Sequence, residues 1–261
     1  MSSIPPRLPA VFIGHGSPMN ALESNRYTDA WRAIARAMPR PRAIVVVSAH
    51  WTTQGTAITS NAAPETIHDF RGFPPALYAL RYPAPGDPAL AAAIRDQMAP
   101  LTIHLDSGWG LDHGSWSVLV HMYPQADIPV LQLSLDLTQD AAFHYALGQR
   151  LAQLREQGIL LLGTGNVVHN LAKLDWNSTA APAWAVTFNR QVRDVLTGPH
   201  PPSLTSYAEW GDAAALSVPS AEHFLPLLTI AGSRRDDEQI TVPVDGIELG
   251  AISMLCAVVG T

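Results

Sequence analysis

The sequence predicts an α/β protein, a single domain over residues 1–261 with a central, mainly parallel or mixed β-sheet and helices on both faces. Apolar runs of strand length alternate along the chain with segments of helical periodicity, which is typical of this class. Hydrophobic residues make up 47% of the chain and charged residues only 15%, which indicates a large buried core. No internal repeat, low-complexity segment or linker divides the sequence, so one domain is expected.

The predicted strands are short and apolar. Residues 43–48 are apolar almost throughout, which favours a central parallel strand covered on both faces. Residues 56–60 alternate more weakly, and residues 101–106 alternate as an edge strand would. The predicted strands span residues 10–13, 43–48, 56–60, 101–106, 129–135, 159–163, 239–244 and 251–259.

The predicted helices each carry one apolar face, and several have a recognisable first or last residue. Ser24 or Asn25 is expected to cap the first helix, which ends before Pro39. Thr138 is expected to cap a long helix that Gly158 ends. Further helices are predicted over residues 88–99, 115–122, 182–196 and 221–231.

One proline-rich stretch, from Thr66 to Pro88, shows little periodicity and is too long for a plain connection. Loops of this length in a compact domain usually serve a function. We therefore expect this stretch to form a lid over a binding site. His68 lies within it and is a candidate for contact with a substrate.

Composition and charge exclude several classes of function. The net charge of −6, with no basic cluster longer than Arg234-Arg235, lacks the electrostatic footprint of nucleic-acid or anionic-membrane binding. The one cysteine, Cys256, cannot form a disulfide within the chain, which favours a reducing compartment. No apolar run approaches the roughly 20 residues that a membrane helix needs. We expect a cytoplasmic protein without nucleic-acid or membrane partners.

Three apolar runs each lead to a histidine. Residues 10–13 are followed by Gly14-His15-Gly16, residues 43–48 by His50, and residues 159–162 by a glycine-containing loop that ends at His169. Ligands of α/β sheets bind at the carboxyl ends of strands, and a neutral imidazole is a good ligand for zinc or iron. We therefore predict that these histidines meet at a metal, with the flanking glycines leaving room above the imidazole of His15.

The third metal ligand is left open by the residues alone. Glu222 and His223 are adjacent, and neighbours on a helix point about 100° apart, so only one of them is expected to face the metal. Two histidines and a carboxylate form the triad of non-haem Fe(II) oxygenases, whereas three histidines equally fit zinc. His169 is either a further ligand or an acid/base group.

The remaining histidines divide into one candidate and several ordinary residues. His113 is framed by Asp112 and Gly114 and is a candidate for contact with the substrate. Four histidines are expected to have no role in the site: His104, His121, His144 and His200. The cluster also fits a zinc-dependent hydrolase with His169 as base, or a non-catalytic metal- or redox-binding protein.

Six motifs follow one another along the chain: Gly14-His15-Gly16-Ser17-Pro18-Met19-Asn20, Val45-Val46-Val47-Ser48-Ala49-His50-Trp51, Ile67-His68-Asp69-Phe70-Arg71-Gly72-Phe73-Pro74, Asp112-His113-Gly114-Ser115-Trp116, Gly165-Asn166-Val167-Val168-His169-Asn170 and Glu222-His223-Phe224-Leu225-Pro226. In this order they resemble the DOPA 4,5-dioxygenase-like branch of the class III extradiol ring-cleavage dioxygenases, within the protocatechuate 4,5-dioxygenase beta-subunit-like superfamily. The likeness runs from residue 8 to residue 260.

The resemblance implies a set of roles for the histidines. A mononuclear metal would be held by His15, His50 and His223, so that a histidine replaces the carboxylate of the wider superfamily's triad. His169 would be the acid/base residue and a candidate fourth ligand to zinc. His113 would be a second active-site histidine that contacts the substrate or oxygen.

The resemblance also implies the activity. Dioxygen would cleave the ring of DOPA or a related catechol outside the two hydroxyls, giving a muconic-semialdehyde-type product. Fe(II) is expected for this activity, whereas Zn(II) would bind the same imidazoles without activating dioxygen. The partners are then a small-molecule catechol and O2, with the oligomeric state open between monomer and dimer. An acid/base role favours a pKa of His169 near neutrality. The side chains expected to bind the substrate ring are His68, Phe70, Phe73, Tyr78 and Trp51.

Overall fold

A mixed β-sheet runs through the centre of the protein. The structure is a computed structural model that describes residues 7–176, 180–199 and 201–260. Its strands are β1 (Ala10–Gly14), β2 (Ala43–Thr53), β3 (Thr56–Thr59), β4 (Ile103–Asp106), β5 (Val130–Asp136), β6 (Ile159–Gly165), β7 (Ile240–Val244), β8 (Ile247–Glu248), β9 (Ile252–Ser253) and β10 (Cys256–Val259).

The main sheet has eight strands in the order β4-β3-β5-β2-β6-β1-β10-β7, and β8 and β9 form a separate hairpin. The central strands β5, β2, β6 and β1 are parallel, whereas β10 and β7 add in antiparallel fashion at one side. The carboxyl ends of β1, β2 and β6 therefore lie at the same edge of the sheet. The register of β2 against β5 shifts between Val47 and Thr52, so His50 lies in an irregular part of its strand.

Helices cover both faces of this sheet. Alternate residues of β1 and β2 face two separate apolar clusters: α5, α6 and α8 pack in one, and α1 and α4 pack in the other. The α/β class and the mixed sheet are thus confirmed. The α-helices are α1 (Arg26–Ala37), α2 (Pro75–Ala79), α3 (Pro88–Gln97), α4 (His113–Met122), α5 (Ala141–Arg155), α6 (Ala183–Thr197), α7 (Asp212–Ser217) and α8 (Leu225–Gly232).

Short 3-10 helices connect several of these elements. They span Pro18–Leu22, Leu171–Lys173 and Pro201–Glu209. In the described part of the chain, no helix is both long and apolar enough to cross a membrane.

Several predicted helix boundaries differ from the structure. Asn25 does cap α1, because its side chain accepts hydrogen bonds from the backbone of Tyr27 and Thr28. The cap of α5 is Asp140 rather than Thr138, whose hydroxyl donates to Asp136 instead (2.7 Å). Helix α8 begins at residue 225 and not 221, so Glu222 and His223 lie in the turn before the helix. The predicted last strand is likewise divided between β9 and β10.

A buried arginine joins the start of the described chain to its end. Arg155, the last residue of α5, is fully buried and forms two hydrogen bonds with Glu238, at 2.8 and 2.6 Å. Its other donors reach the backbone oxygens of Leu8, Ser233 and Val259. The buried guanidinium of Arg155 depends on these partners in place of water. Substitution of either residue of the pair should therefore destabilise the fold.

Candidate metal centre and active site

Three imidazoles meet at the carboxyl edge of the sheet. His15 directly follows β1 and donates its backbone N–H to the carbonyl of Gly165 at the end of β6 (3.1 Å). His50 comes from the irregular part of β2, and its Nε2 lies 3.2 Å from Nε2 of His15. His223 completes the group from the turn before α8. One nitrogen from each of the three rings lies within 4.8 Å of the others.

Glycines allow the segments that carry these histidines to approach one another closely. A Cβ on Gly14 would lie 2.8 Å from the backbone of residues 253–255. A Cβ on Gly165 would lie 2.2 Å from the carbonyl oxygen of His223. Side chains at these positions would push the strand ends away from their neighbours, so the glycines set the spacing between the segments that carry the histidines.

Glu222 and His223, in the turn before α8, have different positions relative to the other histidines. Glu222 accepts a hydrogen bond from Nδ1 of His223 (3.2 Å) and another from the hydroxyl of Ser220 (2.8 Å). The bond from His223 is the main cause that lowers the pKa of Glu222 to about 2, so its carboxylate is charged. Nε2 of His223 is buried and has no hydrogen-bond partner among the described residues. The carboxylate thus orients the imidazole, and the free Nε2 faces the other two histidines.

The donor set fits a divalent metal. Burial lowers the pKa of His15 and of His50 well below the usual value, and the neighbouring imidazoles lower both further. Burial also lowers the pKa of His223, although Glu222 opposes this effect. All three rings are therefore neutral at pH 7, the form that coordinates metals. An unpartnered buried nitrogen and two facing Nε2 atoms would be satisfied by one cation between them.

His169 lies beside this group as a stacked ring. Its imidazole is parallel to that of His223, with ring centroids 3.5 Å apart. Its backbone is fixed by a hydrogen bond to the carbonyl of Ser217 (2.9 Å) and by pairing with Ile252. Burial, with the nearby His223, lowers the pKa of His169 to about 3 rather than the expected neutrality. The ring is therefore a neutral proton acceptor, whose pKa an anionic substrate nearby would raise.

A carboxylate that the sequence reasoning did not single out links two of the histidines. Asp69 accepts from the backbone N–H of His113 (2.8 Å) and lies 2.9 Å from its Nδ1. The same carboxylate lies 3.4 Å from Nδ1 of His50. Burial raises the pKa of Asp69, but the bonds from His113 outweigh burial and leave the pKa below its usual value. Asp69 therefore keeps the proton of both rings on Nδ1 and leaves each Nε2 free.

Asp112 fixes the position of His113 as well. It is the first residue of α4, whose cap is the buried Asp112. Ser48 and Gln132 donate to this carboxylate at 2.7 and 2.6 Å. The ring centroids of His113 and His50 are 3.9 Å apart, so the first turn of α4 packs against β2.

The lid aromatics form one cluster that reaches the site through a single ring. Phe70 lies 5.5 Å from the ring of His113. Phe73, Tyr78 and His68 lie 5.2, 5.2 and 5.7 Å from Phe70. The predicted lid therefore stands over His113, and it contains the short helix α2.

Trp51 is placed differently from the other predicted substrate residues. It is buried and stacks on Trp109 with ring centroids 5.6 Å apart. Within the described residues, no ring contact joins it to the histidines of the site.

The histidines expected to be ordinary lie outside the group. His121 is hydrogen-bonded to the backbone of Asn20 (2.7 Å), and His144 to the backbone of Asp136 (3.1 Å). His104 is exposed on β4, and His200 lies outside the described residues.

Residues 9–244 match the family described as the catalytic LigB subunit of aromatic ring-opening dioxygenase. The chain belongs to this family. It is accordingly an oxidoreductase of the extradiol dioxygenase type, and members of the family use a mononuclear metal. The histidine group described above is where this chain could hold such a metal.

Two named relatives and one solved structure are similar to this chain over most of its length. A protein of Escherichia coli (strain K12) named 4,5-DOPA dioxygenase extradiol is 51% identical, with 97% of this chain and 95% of that protein covered. A protein of the same name from Beta vulgaris is 37% identical, with 87% of each covered. The crystal structure of an uncharacterized protein from Escherichia coli K12 superimposes with a TM-score of 0.86 at 46% identity, covering 97% of this chain and 100% of that one.

Proposed function

We propose that this protein cleaves the ring of DOPA or a related catechol with O2, on a single metal ion held by His15, His50 and His223. The observation that carries the proposal is the group of three neutral imidazoles at one sheet edge, with two facing Nε2 atoms and one unpartnered Nε2. The printed names of the relatives support the substrate class, because both are called 4,5-DOPA dioxygenase extradiol.

The metal expected for this activity is Fe(II), with Zn(II) as an alternative ion at the same imidazoles. When bound, Fe(II) supplies the redox-active centre at which a catechol and dioxygen are brought together, which Zn(II) does not. The carboxylates of Asp69 and Glu222 fix the orientation of His50 and His223, as partners of ligand imidazoles commonly do.

The protein's own groups would handle the proton and the ring. His169 is neutral and would accept a proton from a catechol hydroxyl, forming an imidazolium beside the substrate oxygen. His113, with its proton fixed on Nδ1 by Asp69, would present Nε2 to the substrate. Phe70 stands over this position and, with the other lid aromatics, would pack against the planar ring and exclude water.

The product expected from this arrangement is a ring opened next to, and outside, the two hydroxyls. Both atoms of O2 enter such a product, which is of the muconic-semialdehyde type. With DOPA the product is a seco-DOPA, which can cyclise through its amino group.

The test is anaerobic reconstitution with Fe(II), followed by addition of oxygen and a catechol. We expect a yellow ring-opened product and one O2 consumed per catechol. A matched sample loaded with Zn(II) should give neither. The absence of oxygen uptake with Fe(II), together with ester or amide hydrolysis in the Zn(II) sample, would overturn the proposal in favour of a hydrolase. Metal binding with neither activity would indicate a non-catalytic metal protein.

A further inference from the structure

A cavity of about 410 Å³ is lined by residues from segments that neighbour the proposed metal centre. It opens between the 3-10 helix Pro18–Leu22, the first turn of α1 and the hairpin of β8 and β9. Its wall includes Ser17, Arg26, Tyr27, Trp176, Glu248 and Met254. None of the proposed metal ligands lines this cavity, so metal binding does not explain its polar lining.

Two residues of the cavity wall are close neighbours of histidines in the centre. Ser17 lies two residues after His15, so at most about 7 Å of chain separates the cavity wall from the proposed ligand. Ile252, which also lines the cavity, pairs with His169. A molecule bound at the metal could therefore extend a short side chain into this space.

The lining of the cavity carries both signs of charge. The hydroxyl of Tyr27 donates to Glu248 (2.6 Å), and the guanidinium of Arg26 donates to the same hydroxyl. The guanidinium also lies over the Tyr27 ring, 4.5 Å from its centroid. Among the described residues Arg26 forms no ion pair, which leaves most of its N–H donors open toward the cavity and solvent. A guanidinium with open donors is suited to bind a carboxylate.

One wall residue is apolar and open. Trp176 is 74% exposed, the most exposed large hydrophobic side chain in the described residues. An indole left in water at the mouth of a polar cavity gains by covering a bound molecule. The cavity thus combines one cation, Arg26, two carboxylates, Glu23 and Glu248, and an aromatic face.

We propose that this cavity is a subsite for the zwitterionic head of a catechol amino acid. The substrate carboxylate binds Arg26, its ammonium group binds Glu248, and Trp176 covers the linking carbons. The inference rests on the proposed ring cleavage at the metal centre. It makes Arg26 and Glu248 specificity-determining residues, because a catechol without the head group gains nothing from them.

The test compares four catechols on the Fe(II)-loaded enzyme. DOPA has both charged groups, dopamine lacks the carboxylate, dihydroxyphenylpropionate lacks the ammonium group, and 4-methylcatechol lacks both. Loss of a hydrogen bond to a charged group corresponds to roughly 10-fold or more in kcat/KM. We expect DOPA to exceed each partial analogue by about that factor, and 4-methylcatechol to be the poorest.

Two variants assign the two ends of the head group. Arg26→Gln should lower kcat/KM for DOPA about 10-fold and leave that for dopamine unchanged. Glu248→Gln should lower kcat/KM for DOPA similarly and leave that for dihydroxyphenylpropionate unchanged. Turnover of 4-methylcatechol reports in each variant whether the metal centre is intact. Matched controls are Arg36→Gln on the exposed face of α1 and Glu209→Gln, both with the wild-type pattern.

A binding measurement separates this inference from the reaction. L-Tyrosine has the same head group but only one ring hydroxyl, so it cannot chelate a metal through two oxygens. Calorimetry should show weaker binding of L-tyrosine to Arg26→Gln than to the wild type. Equal substrate ratios and equal tyrosine affinities in wild type and both variants, with 4-methylcatechol still cleaved, would overturn the subsite. Failure to cleave any of the four catechols would instead overturn the proposed function.

Discussion

Replacing Asp69 with Asn tests how the site sets the proton of His113. The side chain would keep its shape, and its oxygen would still accept the hydrogen bond from the backbone N–H of His113. In the wild type this hydrogen bond is 2.8 Å long. The amide nitrogen would then face Nδ1 of His113 in place of the carboxylate oxygen at 2.9 Å. An amide N–H cannot accept a proton, so the proton of the imidazole would move from Nδ1 to Nε2.

The expected magnitude follows from the unequal contacts of this carboxylate. Asp69 makes two short contacts with His113 but only one, of 3.4 Å, with His50. Loss of a carboxylate that orients an active-site imidazole typically costs about 10- to 100-fold. We therefore expect kcat to fall about 10- to 100-fold and the affinity for Fe(II) to fall less than about 10-fold.

The assay measures both quantities on the same protein. Steady-state formation of the yellow product, with Fe(II) and catechol saturating, gives kcat, and competition with a chelator gives the Fe(II) affinity. Asp127→Asn is the matched control, because Asp127 is a surface partner of Arg40 (2.6 Å) away from the site. An unchanged kcat in Asp69→Asn, or a loss of metal as large as the loss of rate, would refute the reasoning.

Three further predictions concern the acid/base residue, a buried ion pair and a strand end. His169→Ala should lower kcat far more than Fe(II) content, whereas His15→Ala should lose the metal; equal metal loss in both would contradict the separate roles. Glu238→Gln should destabilise the fold by about 3 kcal/mol at pH 7, as judged by urea unfolding. Burial raises the pKa of Glu238, but Arg155, the backbone of Arg235 and Arg7 together outweigh burial and lower it, so the contribution is present above the unfolded pKa of about 4.3. It is lost as pH falls through the folded pKa, so the gap between variant and wild type should narrow below about pH 4.3, and a constant gap would contradict this. Gly14→Ala should lower the stability of the fold by about 2 kcal/mol, and hence the Tm, because the added Cβ would lie 2.8 Å from backbone atoms. The control Gly108→Ala should leave the Tm unchanged, because the nearest atom to its Cβ would be 3.6 Å away. Equal Tm values for the two variants would contradict this prediction.

The class of fold could be predicted because its signals are local. The apolar runs that form β1, β2 and β6 each fit a buried strand, and the parallel order places their carboxyl ends together. The sequence therefore predicts that His15 and His50 lie near each other. In the structure their Nε2 atoms lie 3.2 Å apart.

What could not be predicted depends on contacts between distant segments. Asp69 is 44 residues from His113, in a stretch without periodicity, so no pattern in the sequence pairs them. The start of α8 does carry a local signal: Pro226 fits the first turn of a helix, which favours a start near residue 225. With that start, Glu222 and His223 lie in the turn before the helix, so the angle between helical neighbours does not decide which of them faces the metal.

The most direct test of the account is a titration of metal-free protein with Fe(II) under anaerobic conditions. The wild type should bind one Fe(II) per chain, His223→Ala should bind none in the same range, and Glu222→Gln should still bind one, about 10- to 100-fold more weakly. Retention of the metal by His223→Ala together with its loss from Glu222→Gln would contradict the three-histidine centre.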